Sequence, residues 1–168
     1  MSKIAKITMA MMMVGFINTA SAESPKCMAV SEQEVKALFD RWNDSLKTHY
    51  AEAVVANYAS DAVLLPTVSN KPRTNHDEIK AYFKDFLKIN PQGTIDTRTI
   101  KIGCNIAQDV GTYTFSLKGG KKVAARYTFV YEYVNDKWLI AHHHSSAMPE
   151  VVASVQVKKH NLRHHKAH

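Results

Sequence analysis

The run His142-His143-His144-Ser145-Ser146 and the arginine at position 126 are the residues of this 168-residue chain best suited to chemistry. Both lie where apolar residues alternate as in a strand, so a period of two decides which of them share a face. His142 and His144 fall together and His143 falls opposite. Two imidazoles at i, i+2 supply half of a metal site, but no third ligand stands near them. The histidines therefore read as hydrogen-bonding or interface groups, and no metal or other cofactor is assigned. Arg126 interrupts an apolar run from Val123 to Val134. A guanidinium there must be paired or must reach a polar cavity, because an unpaired buried charge is very costly. It is either an anchor for an anion or carboxylate, or one half of a structural ion pair with Glu132 or a helix carboxylate.

Two short links, Gly119-Gly120 and Asn135-Asp136, read as two-residue hairpin turns. Counting back from them sets Arg126 opposite both Tyr113 and Ser145, and Thr128 opposite His143. One face then carries Tyr113, Phe115, Arg126, Thr128, Val130, Leu139, His143 and Ser145. The other carries Tyr127, Phe129, Tyr131, Tyr133, Trp138, Ile140, His142 and His144, in a register that one bulge would shift. Either the helices cover this aromatic row or a second copy of the chain does, and the strand length favours a homo-oligomer. The ligand-binding candidates are Arg126, Tyr113, His143 and Ser145, with Trp42, Tyr58, His142 and His144. Proton-transfer chemistry would need a carboxylate base and a phenol donor in one apolar pocket. Asp40, Asp44 and Asp61 supply carboxylates and Tyr58 or Tyr113 a phenol, yet their spacing forms no constellation, so no catalytic residue is assigned.

These residues need helices and strands to position them. Ser31 and Glu34 form a capping box, stapled by Val30 and Val35, and Val35, Leu38, Phe39, Trp42 and Leu46 share one helical face. A short helix over 51–59 and a strand over 62–65 follow. Asn75 and Glu78 repeat the capping pattern before Ile79, Tyr82, Phe83, Phe86 and Leu87, and Asn90-Pro91 stops that helix. Strands are expected over 94–103, 107–117, 122–134 and 138–147. Helices followed by an antiparallel meander make the fold class α+β, with the helices on one face of the sheet.

Residues 1–22 read as an export signal: Lys3 and Lys6, the apolar stretch Ile7 to Ile17, and Ala20-Ser21-Ala22 for cleavage near Ala22. The stretch is shorter than the ~20 residues a membrane span needs. The expected location is periplasmic or secreted, where Cys27 and Cys104 either bridge or stay as thiols. Residues 23–30 form an N-terminal segment, and 150–168 a basic, histidine-rich tail with His160, His164, His165 and His168, expected to be mobile and solvated. The net charge of +7 comes from 22 basic and 15 acidic residues. Removing Lys3, Lys6, Lys158, Lys159, Arg163 and Lys166 from the 22 leaves 16 against 15 in residues 23–157. A near-neutral body does not call for nucleic acid as a partner.

The segments Arg126-Tyr-Thr-Phe-Val-Tyr131 and Lys137-Trp-Leu-Ile-Ala-His-His-His-Ser-Ser-Ala-Met-Pro149 resemble the association (hub) domain of calcium/calmodulin-dependent protein kinase II in its bacterial stand-alone form. That family lies in the nuclear transport factor 2-like superfamily, beside SnoaL-like cyclases and ketosteroid isomerases. The resemblance covers residues 31–149. It implies a cone-shaped fold, a curved sheet around a long helix with a pocket at the open end, and dimers formed through the sheet. Kinase hubs carry pocket arginines on the last strands; here Arg126 and His142 to Ser145 stand at that level, and Ser145 replaces the last-strand arginine. With no kinase domain or calmodulin-binding linker in the sequence, the resemblance implies no kinase activity. The expected function is an exported, self-associating domain that binds a small anionic or carboxylate molecule; the alternative is a SnoaL-like or ketosteroid-isomerase-like enzyme.

Overall fold

The computed structural model describes residues 26–67 and 69–149. The export signal, its cleavage site and the 150–168 tail lie outside the described residues. Helix α1 (Glu32–Leu46) starts as the capping box dictates: Ser31 Oγ accepts the Glu34 N–H at 3.2 Å, and the Glu34 carboxylate accepts the Ser31 N–H at 2.7 Å. Its buried face is Val35, Leu38, Phe39, Trp42 and Leu46, the stripe the sequence spacing selects. Helix α2 (Ala51–Val55) is shorter than expected. The Asn57 side-chain amide donates to the carbonyls of Ala53 and Val54, ending the helix, and β1 (Tyr58–Leu65) begins four residues early. Asn75 caps α3 (His76–Phe86) by accepting the Glu78 N–H at 3.0 Å, and a 3-10 turn, Leu87–Ile89, ends at a left-handed Asn90.

Strands β2 (Gln92–Gly103), β3 (Ile106–Ser116), β4 (Lys122–Val134) and β5 (Lys137–Ala147) form an antiparallel meander. Strand β1 joins parallel to β5, giving the order β1-β5-β4-β3-β2. Cys27 and Cys104 are bridged, which fixes the N-terminal segment to the β2–β3 turn; there Met28 N–H donates to Asn105 Oδ1 at 2.7 Å. Among the described residues no helix is long and apolar enough to cross a membrane.

The register corrects the expected faces at two points. The β3–β4 turn uses three residues, Lys118–Gly120, so Tyr113 pairs with Ala125 and Arg126 pairs with Thr112. Pairing across Asn135-Asp136 runs as expected to Tyr131–Ile140, but an irregularity at Ala141 then sets Val130 opposite His142 and Phe129 opposite His143. Both one-residue offsets reverse β4 relative to Tyr113, His143 and Ser145. Arg126 is therefore exposed on the outer face of the sheet, paired with Ser146 rather than Ser145. The aromatic row is the face under the helices: Tyr127, Phe129 and Tyr131 are buried in the core with α1. The burial argument for a second copy on that row accordingly falls.

Candidate functional site

At the end of the cone where α3 approaches the sheet, five elements enclose a small cavity. Trp42 comes from α1, Tyr82, Phe83 and Phe86 from α3, Tyr113 and Phe115 from β3, and His143 and Ser145 from β5. Leu64, Pro66 and Thr67 close it from β1 and the following loop, which backbone hydrogen bonds between Leu64 and Arg73 hold in place. The volume is about 20 Å³, room for roughly one water.

His143 is held in this wall by Phe129, Trp42 and Tyr58. Its ring stacks on Phe129 with centroids 4.0 Å apart and meets the edge of Trp42 at 5.2 Å. Behind it, Trp42 Nε1–H donates to Tyr58 Oη at 3.1 Å, and Tyr58 Oη lies 2.8 Å from His143 Nδ1. Trp42 is a donor only, so the tyrosine oxygen accepts from it; the buried phenolic proton then has Nδ1 as its one acceptor among the described residues, and donating to it leaves the fewest groups unpaired. Nδ1 is then an acceptor, and the neutral ring carries its proton on Nε2. That Nε2 is buried and has no hydrogen-bond partner among the described residues. Burial, and then the neighbouring His144, push the His143 pKa down to about 3, so the ring is neutral at physiological pH. The same burial holds the Tyr58 and Tyr113 phenols well above the ordinary tyrosine value.

A second polar group lies beside it. Tyr113 Oη donates to Ser145 Oγ at 2.6 Å, and Ser145 Oγ lies 2.5 Å from Thr67 Oγ1. This hydroxyl chain runs from the core to the half-buried Thr67 at the rim.

Four of the expected site residues, Trp42, Tyr113, His143 and Ser145, thus converge on the cavity, and Tyr58 supports His143 from behind. Arg126, His142 and His144 do not join them. All three are exposed, and Arg126 and His144 line an open groove of about 470 Å³ on the outer sheet face with Thr128 and Ser146. Asp40, Asp44 and Asp61 are exposed and none lines the cavity; Asp44 pairs with Lys47. Among the described residues no lysine, arginine, aspartate or glutamate lines it. Among the described residues no group of three or more histidine, cysteine or acidic side chains could hold a metal.

Sequence reasoning missed two features. Tyr82, Phe83 and Phe86 complete the cavity wall, and their helical spacing had marked them only as core. The buried charge pair is not at Arg126 but between β2 and β3: Arg98 Nη2 lies 3.0 Å from Asp109 Oδ2. Asp109 is fully buried and also accepts from Tyr127 Oη at 2.8 Å, while Arg98 sits 5.4 Å above the Phe39 ring. Burial outweighs both partners and raises the Asp109 pKa. The available signal was an acid on the inward period of β3, between Ala107 and Tyr113. This carboxylate–phenol pair is neutralised by Arg98, and neither Asp109 nor Tyr127 lines the cavity.

Comparison with known proteins gives the fold and family. A crystal structure from Xanthomonas campestris, provisionally assigned as a calcium/calmodulin dependent protein kinase II association domain, is 51% identical, with a TM-score of 0.69 over 73% of this chain and 91% of its own. A Nostoc punctiforme protein of unknown function with a cystatin-like fold is 17% identical, at TM-score 0.63 over 76% and 98% of the two chains. An NTF2-like protein of unknown function from Pseudomonas putida is 18% identical, at 0.62 over 70% and 86%. These last two likenesses show the fold alone. No curated protein matches the chain. The family model of the calcium/calmodulin dependent protein kinase II association domain matches residues 31–149, from the Ser31 cap to the end of β5 and its histidine run. By that match the chain belongs to the calcium/calmodulin-dependent protein kinase II association-domain family.

Proposed function

We propose that this protein is an exported, self-associating domain that binds a small molecule at the open end of its cone and has no kinase activity of its own. The observation that carries the ligand reading is His143, which lines the cavity and whose buried Nε2 has no hydrogen-bond partner among the described residues. A buried N–H without an acceptor forfeits a hydrogen bond it made to water in the unfolded chain, and a bound acceptor restores it. Export is supported by the leader-like residues 1–22 and by the Cys27–Cys104 bridge, which suits an oxidising compartment. Self-association is supported by the family and by the outer sheet face, where Val110 is 39% exposed beside Thr112, Thr128 and Arg126. A second copy seated there would place Arg126 and His144 at the contact rather than at a ligand.

Native mass spectrometry of the mature protein tests both parts. The expected result is a dimer or larger multiple of the subunit that retains a small adduct, with the adduct lost in His143→Phe and kept in Arg126→Ala. A monomer that stays empty after incubation with a cell extract contradicts the proposal. The enzymatic alternative needs a carboxylate base in the cavity, and among the described residues none lines it.

A further inference from the structure

We infer that the cavity beside His143 is a site for one buried water, which accepts from Nε2–H, donates to Ser145 Oγ and joins two hydrogen-bond chains into a single relay ending at the Thr67 hydroxyl. A molecule held outside, as in the small-molecule reading above, then meets Thr67 and feels His143 only through the relay. The relay itself does not depend on that reading.

Space, polarity and charge agree on the occupant. The volume of about 20 Å³ exceeds the roughly 10–15 Å³ that one water needs and leaves no place for a larger body. A wholly apolar cavity would stay dry, but this one carries imidazole and hydroxyl groups among its aromatic walls. Among the described residues no side chain of fixed charge lines it, and burial keeps the imidazole neutral, so an ion has no counter-charge there. His143 and Ser145 lie two residues apart on β5, and both are buried on its inward face. That spacing sets their Cα atoms roughly 6.6 Å apart. One water with a hydrogen bond of about 2.8 Å on either side bridges a gap of this order between their side chains. The water so placed has the two polar partners that a buried site requires.

The direction of the relay follows from counting protons. Trp42 Nε1–H can only donate, Tyr58 passes its proton to His143 Nδ1, and the imidazole is left with Nε2–H to give. The water accepts that proton and gives one of its own to Ser145 Oγ. Ser145 Oγ already accepts from Tyr113 Oη at 2.6 Å, so both its lone pairs are taken and its own proton goes to Thr67 Oγ1. Thr67, half-buried at the rim, must then direct its proton away from Ser145. Were Tyr113 and Thr67 the two donors to Ser145, the Thr67 hydroxyl would turn inward instead. The water thereby makes the outermost group of the relay an outward donor.

Neutron diffraction from a deuterium-exchanged crystal of the disulfide-intact mature protein, grown near pH 7.5, locates the water and every proton of the relay. The expected map shows a solvent oxygen within about 3.2 Å of both His143 Nε2 and Ser145 Oγ. It also shows a deuteron on Nε2, the Ser145 deuteron aimed at Thr67 Oγ1, and the Thr67 deuteron aimed away. In His143→Phe, whose ring keeps the stack on Phe129 but has no donor, the water should be lost. Thr67→Val removes only the last donor and should keep it. A cavity without solvent density, a solvent peak that reaches only one of the two groups, or a Thr67 deuteron aimed at Ser145 overturns the inference. So does a water that stays in place in His143→Phe. The parent crystal decides by itself if that variant fails to fold. Retention of a small adduct is scored separately by mass, so the relay and the small-molecule reading fail independently.

Discussion

Acidification to pH 4.5 should destabilise this protein in part through His143, and the size of that part follows from how its ring is buried. In an unfolded chain the imidazole titrates near 6.5, whereas in the fold burial holds it near 3. Between those values the unfolded state binds a proton that the native state refuses, so stability falls as pH drops. The contribution is complete above about pH 6.5. It is lost progressively below that and stops changing once the pH reaches the folded value. At pH 4.5 the gap is two pH units at about 1.36 kcal/mol each, or roughly 2–3 kcal/mol. Urea unfolding at pH 7.5 and 4.5, at one protein concentration, measures it. His143→Gln is the reference, since its amide still accepts from Tyr58 Oη and does not titrate. All other titrating groups are common to both proteins and cancel in the difference. The parent should lose about 2–3 kcal/mol more than the variant. Equal losses would show that His143 takes up its proton inside the fold, and the neutral-donor argument would fail with it.

Four further outcomes are expected. Gly111→Ala should lower stability by about 1–3 kcal/mol in thermal unfolding, because a Cβ there collides with the Thr97 backbone where β2 bulges against β3. Cys27→Ser with Cys104→Ser opens a loop of sequence separation 77, and chain entropy sets the loss at roughly 4 kcal/mol; a Tm unchanged by reduction contradicts it. Asp109→Ala leaves Arg98 and Tyr127 without their carboxylate in the core and should cost about 3 kcal/mol, less than a fully buried pair because Arg98 keeps partial contact with water. Asp109→Leu combined with Arg98→Leu should recover most of that loss in urea unfolding.

The elements were legible because their signals are local. The Ser31–Glu34 box, the α1 stripe and the turn pairs each lie within a few residues of the structure they specify, and every strand appears within a few residues of its expected bounds. The convergence of Tyr113, His143 and Ser145 was legible too, because the two errors of register fall on either side of β4 and leave its neighbours in phase with each other. Arg126 was misplaced for the same reason. A third residue in the β3–β4 turn and the extra residue at Ala141 are not written in alternation, and a slip of one exchanges the core face for the solvent face. Arg98 and Asp109 went unseen because their partnership spans two strands, and a long-range pair leaves no spacing of its own. The Tyr82–Phe86 wall carries the same helical pattern as any core face, so only its position against β3 and β5 gives it a role.

That His143 stands neutral, with its proton on the cavity-facing Nε2, is settled by ¹⁵N-resolved NMR of the imidazole at pH 7.5. The expected spectrum has an unprotonated Nδ1 and a protonated Nε2. A proton on Nδ1 or a charged ring would contradict it.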